Sequence, residues 1–264
     1  MSQIMKMKKY QTGLSIIEFM VAITLGLILL AGITQIFLTN KNTFNITDSL
    51  GRLEENGRFA MEILAQNVRM AGYQDPGEDL PPPFYSADES DTPCVSANTY
   101  CTNDGGGNTS DRIAVRFNPR DNKDCTGTLT TETIANVFWV QDDPANNDLP
   151  TLYCRGYTPG TGWIAAAQPI VPGIENFQVL YGVASGAGTA GVPDKYVTAT
   201  QISSSEWAKV KSVRIAVLAR AGGSTGGEVT TRNFSVLDAG GLSYTDNQPR
   251  ALYSTTISLN NIVL

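Results

Sequence analysis

The sequence predicts an α+β protein in which one long N-terminal helix, with a transmembrane N-terminal half, packs on a C-terminal antiparallel β head. A 25-residue apolar run opens the chain, an apolar stripe at helical spacing follows it, and short alternating runs separated by turn residues fill the rest. Of the 264 residues, 42% are hydrophobic and 17% are charged, which excludes a disordered chain and suffices for a buried core.

The apolar run, Leu14 to Leu38, is the predicted membrane span. As a helix it would be roughly 37 Å long, against a hydrocarbon core of about 30 Å. Three lysines precede it within the first nine residues and only Lys41 closely follows it, so the positive-inside rule places residues 1–13 in the cytoplasm and the remainder in the periplasm or its equivalent. No small-residue cleavage site follows Leu38, which disfavours an ordinary secretory signal peptide.

The helix is expected to continue beyond the membrane, with residues 39–72 as an amphipathic periplasmic half. Apolar or small residues recur there every third or fourth position, at Ile46, Leu50, Leu53, Gly57, Ala60, Leu64 and Val68. No proline occurs between residues 14 and 75. We therefore expect one helix from Leu14 to about Ala71, with Gly72 as its stop.

Residues 73–264 are predicted to form the β-rich head. A turn-rich segment, DPGEDLPPP, leaves the helix. The candidate strands are Arg112–Phe117, Ile134–Gln141, Thr151–Arg155, Ile174–Tyr181, Ser212–Ala219, Arg232–Leu237 and Leu252–Leu259. They suggest one antiparallel head or two small sheets. Ser203 and Glu206 have capping-box spacing, which predicts a short helix near 204–210.

Four cysteines lie in the head, at Cys94, Cys101, Cys125 and Cys154. An even number in an oxidising compartment predicts disulfides. Three pairings exist, and short closures favour Cys94 with Cys101 and Cys125 with Cys154. A zinc site is the alternative, but the chain has neither a C-x-x-C spacing nor a histidine.

The composition excludes most classes of enzyme and disfavours direct binding to nucleic acid. Without histidine there is no Ser-His-Asp or Cys-His nucleophile pair and no imidazole acid-base catalysis, so we expect no enzyme activity and no cofactor. Removing residues 1–13 leaves 16 basic and 25 acidic residues, which disfavours direct nucleic-acid binding. The acidic loops 104–111 and 142–148 contain oxygen donors of the kind that calcium needs, but solvated turns are the favoured interpretation and no metal ligands are assigned.

Glu18 is the unusual residue of the span, since a carboxylate at a helix centre in the bilayer costs about 2.5 to 3.5 kcal/mol. The string KKYQTG before LSIIEFM, residues 8–20, resembles the cleavage and methylation signal of type IV prepilins. The resemblance implies that a membrane-embedded prepilin peptidase cuts between Gly13 and Leu14, removes residues 1–13 as a leader, and N-methylates Leu14. The departure is Leu14, where phenylalanine is commoner.

Further strings resemble the PilW family of minor pilins, namely residues 51–73, 173–183, 207–220 and 250–261. The resemblance implies a type IV pilin-like fold and a minor pilin that primes assembly or forms part of the tip complex of a pilus used in twitching motility, adhesion and DNA uptake. Its implied partners are other minor pilins, the major pilin, prepilin peptidase, the inner-membrane assembly platform and a large tip adhesin. Related pseudopilins sometimes bind calcium in the head.

Two alternatives remain open at this point. A minor pseudopilin of a type II secretion system would share the same architecture, so the chain itself barely separates the two. A membrane-anchored periplasmic enzyme or adhesin outside any filament predicts no processing at Gly13. In the filament interpretation, the α-amino group that cleavage creates, with a pKa of about 7.7 to 8.0, would pair with Glu18 of a neighbouring subunit.

Overall fold

The computed structural model describes residues 13, 15–77, 82–85, 102–184, 186, 191–222 and 228–261. One α-helix, α1, spans Ile16–Met70. This confirms the long N-terminal helix that the sequence predicts, with an end one residue short of Ala71. The chain divides into two compact units at the boundary between Thr47 and Asp48, so α1 contributes residues to both.

The end of α1 is closed by residues from distant parts of the head. Gly72 adopts φ +75°, a left-handed conformation that suits glycine at a helix C-terminus. Its amide donates to the Arg116 carbonyl at 2.8 Å. The side-chain amide of Asn261 donates to the Arg69 carbonyl at 3.0 Å, which satisfies one of the free carbonyls of the last turn.

The described residues of the head form eleven strands and three short 3-10 helices. The strands are β1 Ile113–Phe117, β2 Ile134–Asp143, β3 Leu149–Thr158, β4 Gly162–Trp163, β5 Gln168–Pro172, β6 Ile174–Val183, β7 Lys195–Val197, β8 Val210–Arg220, β9 Thr230–Val236, β10 Ala239–Asp246 and β11 Arg250–Ser258. The 3-10 helices span Pro144–Asn146, Ala199–Gln201 and Trp207–Lys209. All seven predicted strands are present, with ends shifted by a few residues.

The described strands form two sheets and a hairpin, all antiparallel. One sheet has the order β1-β2-β3-β4 with β5 also paired to β3, and the other has the order β11-β8-β6-β7. Strands β9 and β10 form the hairpin. The core joins the head half of α1 to both sheets, through residues such as Leu64, Phe138, Phe177 and Ile215, all of which are fully buried. The α+β class is therefore confirmed.

Four of the described strands, β4, β5, β7 and β10, are not predicted from the sequence, for identifiable reasons. Strands β4 and β7 have only two and three residues. Strand β5, QPIVP, contains two prolines, which argue against a central strand but are compatible with an edge. Strand β10 has two glycines directly after its first residue, at a register shift between Ala239 and Leu242, where a bulge interrupts the alternation.

Two local predictions need correction. The buried part of the helix stripe begins only at Leu53, since Leu50 is 45% exposed and Ile46 is half-buried. A stripe identifies the face that packs, but it does not show where the covering strands end. The predicted helix near 204–210 is only the 3-10 helix Trp207–Lys209 behind a turn, because the Glu206 carboxylate accepts hydrogen bonds from the Ser203 amide and hydroxyl.

Candidate assembly segment and its supporting head

The N-terminal half of α1 is the first candidate functional segment. Every side chain from Ile16 to Leu38 is exposed, including large apolar ones such as Leu29, at 68%. Within the described residues, α1 is the helix that is long and apolar enough to cross a membrane, with a mean hydropathy of 2.5 over its most apolar window. A helix that is apolar all round needs apolar surroundings on every side.

Glu18 lies in the first turn of this segment and is exposed. The helix begins just before it, where the Phe19 amide donates to the Ser15 carbonyl at 3.1 Å. A carboxylate in the first turn is stabilised by the helix dipole, which lowers the cost of placing it in an apolar segment. Gly13 is described and has no neighbour within 4 Å of a Cβ position, whereas Leu14 lies outside the described residues.

Threonine hydroxyls in the same half bond back to the helix. Thr24, Thr34, Thr39, Thr43 and Thr47 each donate to the carbonyl four residues earlier, at 2.8 to 3.1 Å. Thr24 and Thr34 lie within the predicted span 14–38, and in hydrocarbon each of these two hydroxyls would otherwise lack a partner, at a cost of several kcal/mol. The bonds therefore allow these two polar residues in the apolar run, a role that the sequence pattern did not indicate.

The second half of α1 is held by the head at its small residues. Gly57 is buried, and a Cβ there would overlap the ring of Tyr253 on β11. Ala60 is also fully buried. Gly57 therefore allows the helix to approach β11 closely, while Gly51, one helical turn and a half earlier, has no atom within 4 Å of a Cβ position.

A disulfide joins Cys125 to Cys154, which are 29 positions apart in sequence and have their Cα atoms 6.3 Å apart. It is one of the two pairings that the sequence predicts, and of the two it closes the larger loop. Cys154 is fully buried on β3. Cys94 and Cys101 lie outside the described residues.

The disulfide loop is also tied to the helix by polar contacts. The Asp124 carboxylate accepts hydrogen bonds from the amides of Thr126 and Thr128, both at 2.9 Å, which fixes the turn after the cysteine. The Cys125 amide donates to the Asn136 side chain at 3.1 Å, and Asn136 donates to Asn67 of α1 at 2.8 Å. The loop and the helix thus share one buried polar connection.

The first acidic loop, 104–111, is anchored by Asp111. One carboxylate oxygen accepts from the Gly105 amide at 2.9 Å and the other from the Val179 amide at 2.7 Å. Burial raises the pKa of Asp111 to about 7, against the lowering effect of these two bonds, and the charges of Asp238 and Asp104 raise it further. Both oxygens are therefore used to attach the loop to β6.

Asp143 has a similar structural task in the second acidic loop, 142–148. Its side chain accepts from the Ala145 amide at 3.1 Å and caps the 3-10 helix that follows. Within the described residues, no group of three or more Asp, Glu, Cys or His side chains is placed to hold a metal ion. Aspartate side chains in both loops thus accept hydrogen bonds from backbone amides of the loop itself.

A cluster of charges fastens β11 to β6 and β10. Arg250, whose side chain is 1% exposed, contacts Glu175 and also donates to Asp246 at 2.7 Å. Its guanidinium lies 3.9 Å from the centre of the Tyr244 ring. The arginine holds the pKa of the Asp246 carboxyl low, at about 2. Asp246 and Arg250 are only four residues apart, but Glu175 is 75 residues from Arg250 and reaches it through the pairing of β6, β8 and β11.

Residues 137–261 match the model of the family described as PilW, type IV pilus-assembly protein W. The resemblance to this family is confirmed over that range, which covers three of the four strings that carry it. No curated protein sequence matches the chain. Among solved structures, the chain is similar to a type IV-like pilin from Thermus thermophilus, at 16% identity and a TM-score of 0.40, covering 83% of this chain and 98% of that one.

Proposed function

From the match of residues 137–261 to the type IV pilus-assembly family, we propose that this chain is a minor pilin. It is made as a prepilin, loses residues 1–13 to prepilin peptidase between Gly13 and Leu14, and is methylated on the new N-terminus. The mature protein enters a type IV pilus, where it primes assembly or forms part of the tip complex. Twitching motility, adhesion and DNA uptake are the activities that depend on such a pilus.

The exposed apolar half of α1 is the observation that carries this proposal. Its side chains need apolar cover all round, which a bilayer supplies before assembly and neighbouring helices supply after it. The head half of the same helix already has its cover from the sheets. In this proposal residues 14–38 are the membrane-spanning half, residues 39–72 are the periplasmic half, and residues 73–264 are the head in the periplasm.

Glu18 sets the axial register of the subunit in the proposed filament. Its carboxylate lies in the first helical turn, close in sequence to the α-amino group that cleavage at Gly13 exposes. In apolar surroundings an unpaired charge is costly, so a carboxylate and an ammonium group on adjacent subunits stabilise the arrangement in which they meet. A helix shifted by one turn leaves both charges without partners.

The head selects the partners in this proposal. Its disulfide and its buried charge cluster keep the strands in fixed positions, so the surface offered to a neighbour does not change on assembly. The proposed partners are other minor pilins, the major pilin, the inner-membrane platform and a large tip adhesin. An acidic head without a basic stripe makes direct nucleic-acid contact the least expected task.

Intact mass and N-terminal sequencing test the proposal, with the full chain expressed beside its own prepilin peptidase and in a peptidase-null strain. A mature chain that begins at Leu14 only when the peptidase is present supports it. A chain that retains its first 13 residues in both strains overturns the filament account. Deletion then separates the two filament types, since a minor pilin mutant loses surface pili whereas a secretion pseudopilin mutant loses export of folded substrates.

A further inference from the structure

Strand β11 is an open edge of the four-stranded sheet. It pairs with β8 over nine consecutive residues, Arg250–Ser258, without any register shift. Among the described strands none pairs with its other side. An antiparallel edge of this length turns the amide and carbonyl groups of alternate residues away from the sheet, where they are available to another strand.

Three other edge strands of the described sheets, β1, β5 and β7, are protected by devices that β11 lacks. Strand β1 is covered by residues 83–85, whose Tyr85 amide donates to Ala114 at 3.0 Å. Strand β7 has three residues and carries Lys195, which pairs with Glu206 at 2.8 Å. Strand β5 has two prolines and a register shift. Short length, charge, proline and bulges are the usual means by which proteins prevent edge-to-edge pairing.

From Ala251 onwards strand β11 has none of these features, and its first residue, Arg250, is buried against Glu175 and Asp246. No charged residue and no proline occurs from Ala251 to Asn261. On its solvent face Leu252 is 47% exposed, beside the exposed Ser254 and Thr256. A long, flat and uncharged edge invites aggregation unless a specific partner covers it.

A groove runs between β11 and the helix on the other face of the sheet. It is lined by Tyr253, Ser254 and Thr255 of the strand and by the charged helix residues Arg58, Glu62 and Arg69. A strand added beside β11 would place every second side chain towards these residues. Two arginines against one glutamate favour acidic side chains at those positions.

We propose that β11 is the docking edge for an extended segment of a different polypeptide chain, with acidic residues facing the helix groove and apolar residues covering Leu252. A second copy of this chain does not fit this description, because self-pairing would offer the arginines only uncharged residues of another β11. Main-chain hydrogen bonds supply the affinity and the alternating side chains supply the specificity, as in other complexes formed by strand addition. The proposal rests on the proposed function, since it names a surface through which the minor pilin selects its partner.

Site-specific photo-crosslinking tests the docking edge in the full-length chain, expressed with its own pilus proteins. Benzoylphenylalanine replaces Leu252 in one variant and Thr256 in another, and it replaces Lys195 on the protected edge β7 as the control. We expect both β11 positions to crosslink to one segment of one partner, at sites about four residues apart as strand pairing requires. The Lys195 position should give no adduct with that segment.

The second arm of the test places a charged side chain on β11 to prevent strand pairing. Ser254→Glu should reduce both adducts by about tenfold, because a charge on an edge strand disfavours strand pairing and a carboxylate repels the acidic side chains of the docked segment, while the matched variant Ser254→Thr should keep them. Resistance to proteolysis and the Cys125–Cys154 disulfide show that each variant is folded. Adducts on unrelated segments, adducts with a second copy, or adducts that Ser254→Glu does not reduce would overturn the proposal. Normal processing and pilus entry without the adducts refutes the docking edge alone, whereas the adducts in an unprocessed chain refute the minor-pilin function alone.

Discussion

The two halves of α1 solve the same packing problem in opposite ways. From Ile16 to Leu38 apolar residues occur on all sides and are exposed, whereas from Leu53 to Val68 only one stripe is apolar and the sheets bury it. The glycines follow the same division, because a Cβ at Gly26 would meet nothing within 4 Å while a Cβ at Gly57 would overlap Tyr253. The comparison teaches that the distribution of apolar residues around a helix indicates which of its sides must be covered, even when the covering partner is absent.

Replacing Glu18 by alanine, in the exposed apolar half of α1, should have the largest effect of the changes considered. Membrane insertion should persist, because the change makes the span more apolar, whereas entry into pili should be abolished because the register-setting charge is lost. The measurement is the amount of the protein in sheared pili relative to membranes. Gln35→Ala, another polar-to-apolar change in the same half, is the control and should assemble normally. Normal incorporation of the Glu18 variant would contradict the assigned role.

Removing the head disulfide is expected to have the next largest effect. The pair Cys125→Ala and Cys154→Ala should lower the free energy of unfolding by about 3–4 kcal/mol, as expected for a loop of this length. Denaturant unfolding of the full chain in detergent measures it. The control variant is Cys94→Ala with Cys101→Ala. A peptide map made without reductant should still show the disulfide between Cys125 and Cys154 in this variant. Loss of that link in the control would show that the pairing is different in the cell envelope.

The head should also be less stable at alkaline than at acidic pH because of Asp111. Its pKa is raised in the folded state to about 7, so the folded chain binds a proton more tightly than the unfolded one. This stabilisation is complete below the ordinary pKa of about 4 and is lost as the pH rises through 7. Between pH 5 and pH 8 the free energy of unfolding should fall by roughly 2–3 kcal/mol from this residue.

Denaturant unfolding at the two pH values measures this dependence. Asp111→Asn should reduce the difference between them, although the amide also places a donor near the backbone amides of Gly105 or Val179 and so lowers stability at both pH values. An unchanged difference in that variant would assign the pH dependence to other groups, with Asp104 and Asp238 as the nearest carboxylates.

The smallest expected effects come from substituting the buried Gly57 and the open Gly51, and they should have opposite signs. Gly57→Ala should lower the free energy of unfolding by about 1–3 kcal/mol, because the added methyl group overlaps the Tyr253 ring. Gly51→Ala, on the open side of the same helix, should raise it by about 0.5–1 kcal/mol through helix propensity. Thermal unfolding of the two variants measures both signs. Stabilisation by Gly57→Ala would mean that the helix stands further from β11.

The parts that could be predicted from sequence are those that short-range patterns determine. The helix has a helical period and a glycine stop, and the seven predicted strands are short alternating or apolar runs bounded by turn residues. The ion cluster around Arg250 could not be predicted, because Glu175 lies 75 residues away and reaches it only through the pairing of β6, β8 and β11. The disulfide is intermediate, since geometry favours short closures but sequence permits three pairings.

The docking edge could not be predicted for a related reason. The string ALYSTTISL has the composition of any strand, and only the order of strands in the sheet places it at an edge. Its lack of charge and proline becomes informative once β1, β5 and β7 are known to be protected. Whether a strand lies at an edge depends on the strand order of the whole sheet, so a local sequence pattern does not predict it.

The closure of α1 by Asn261 also sets the order in which the chain can fold. Residues 69 and 261 are 192 positions apart, so their contact forms only when nearly the whole head has been synthesised and has collapsed. Until then the Arg69 carbonyl in the last turn of α1 lacks this donor. The end of the helix is therefore among the last parts of the head to be completed, although the helix comes first in the sequence.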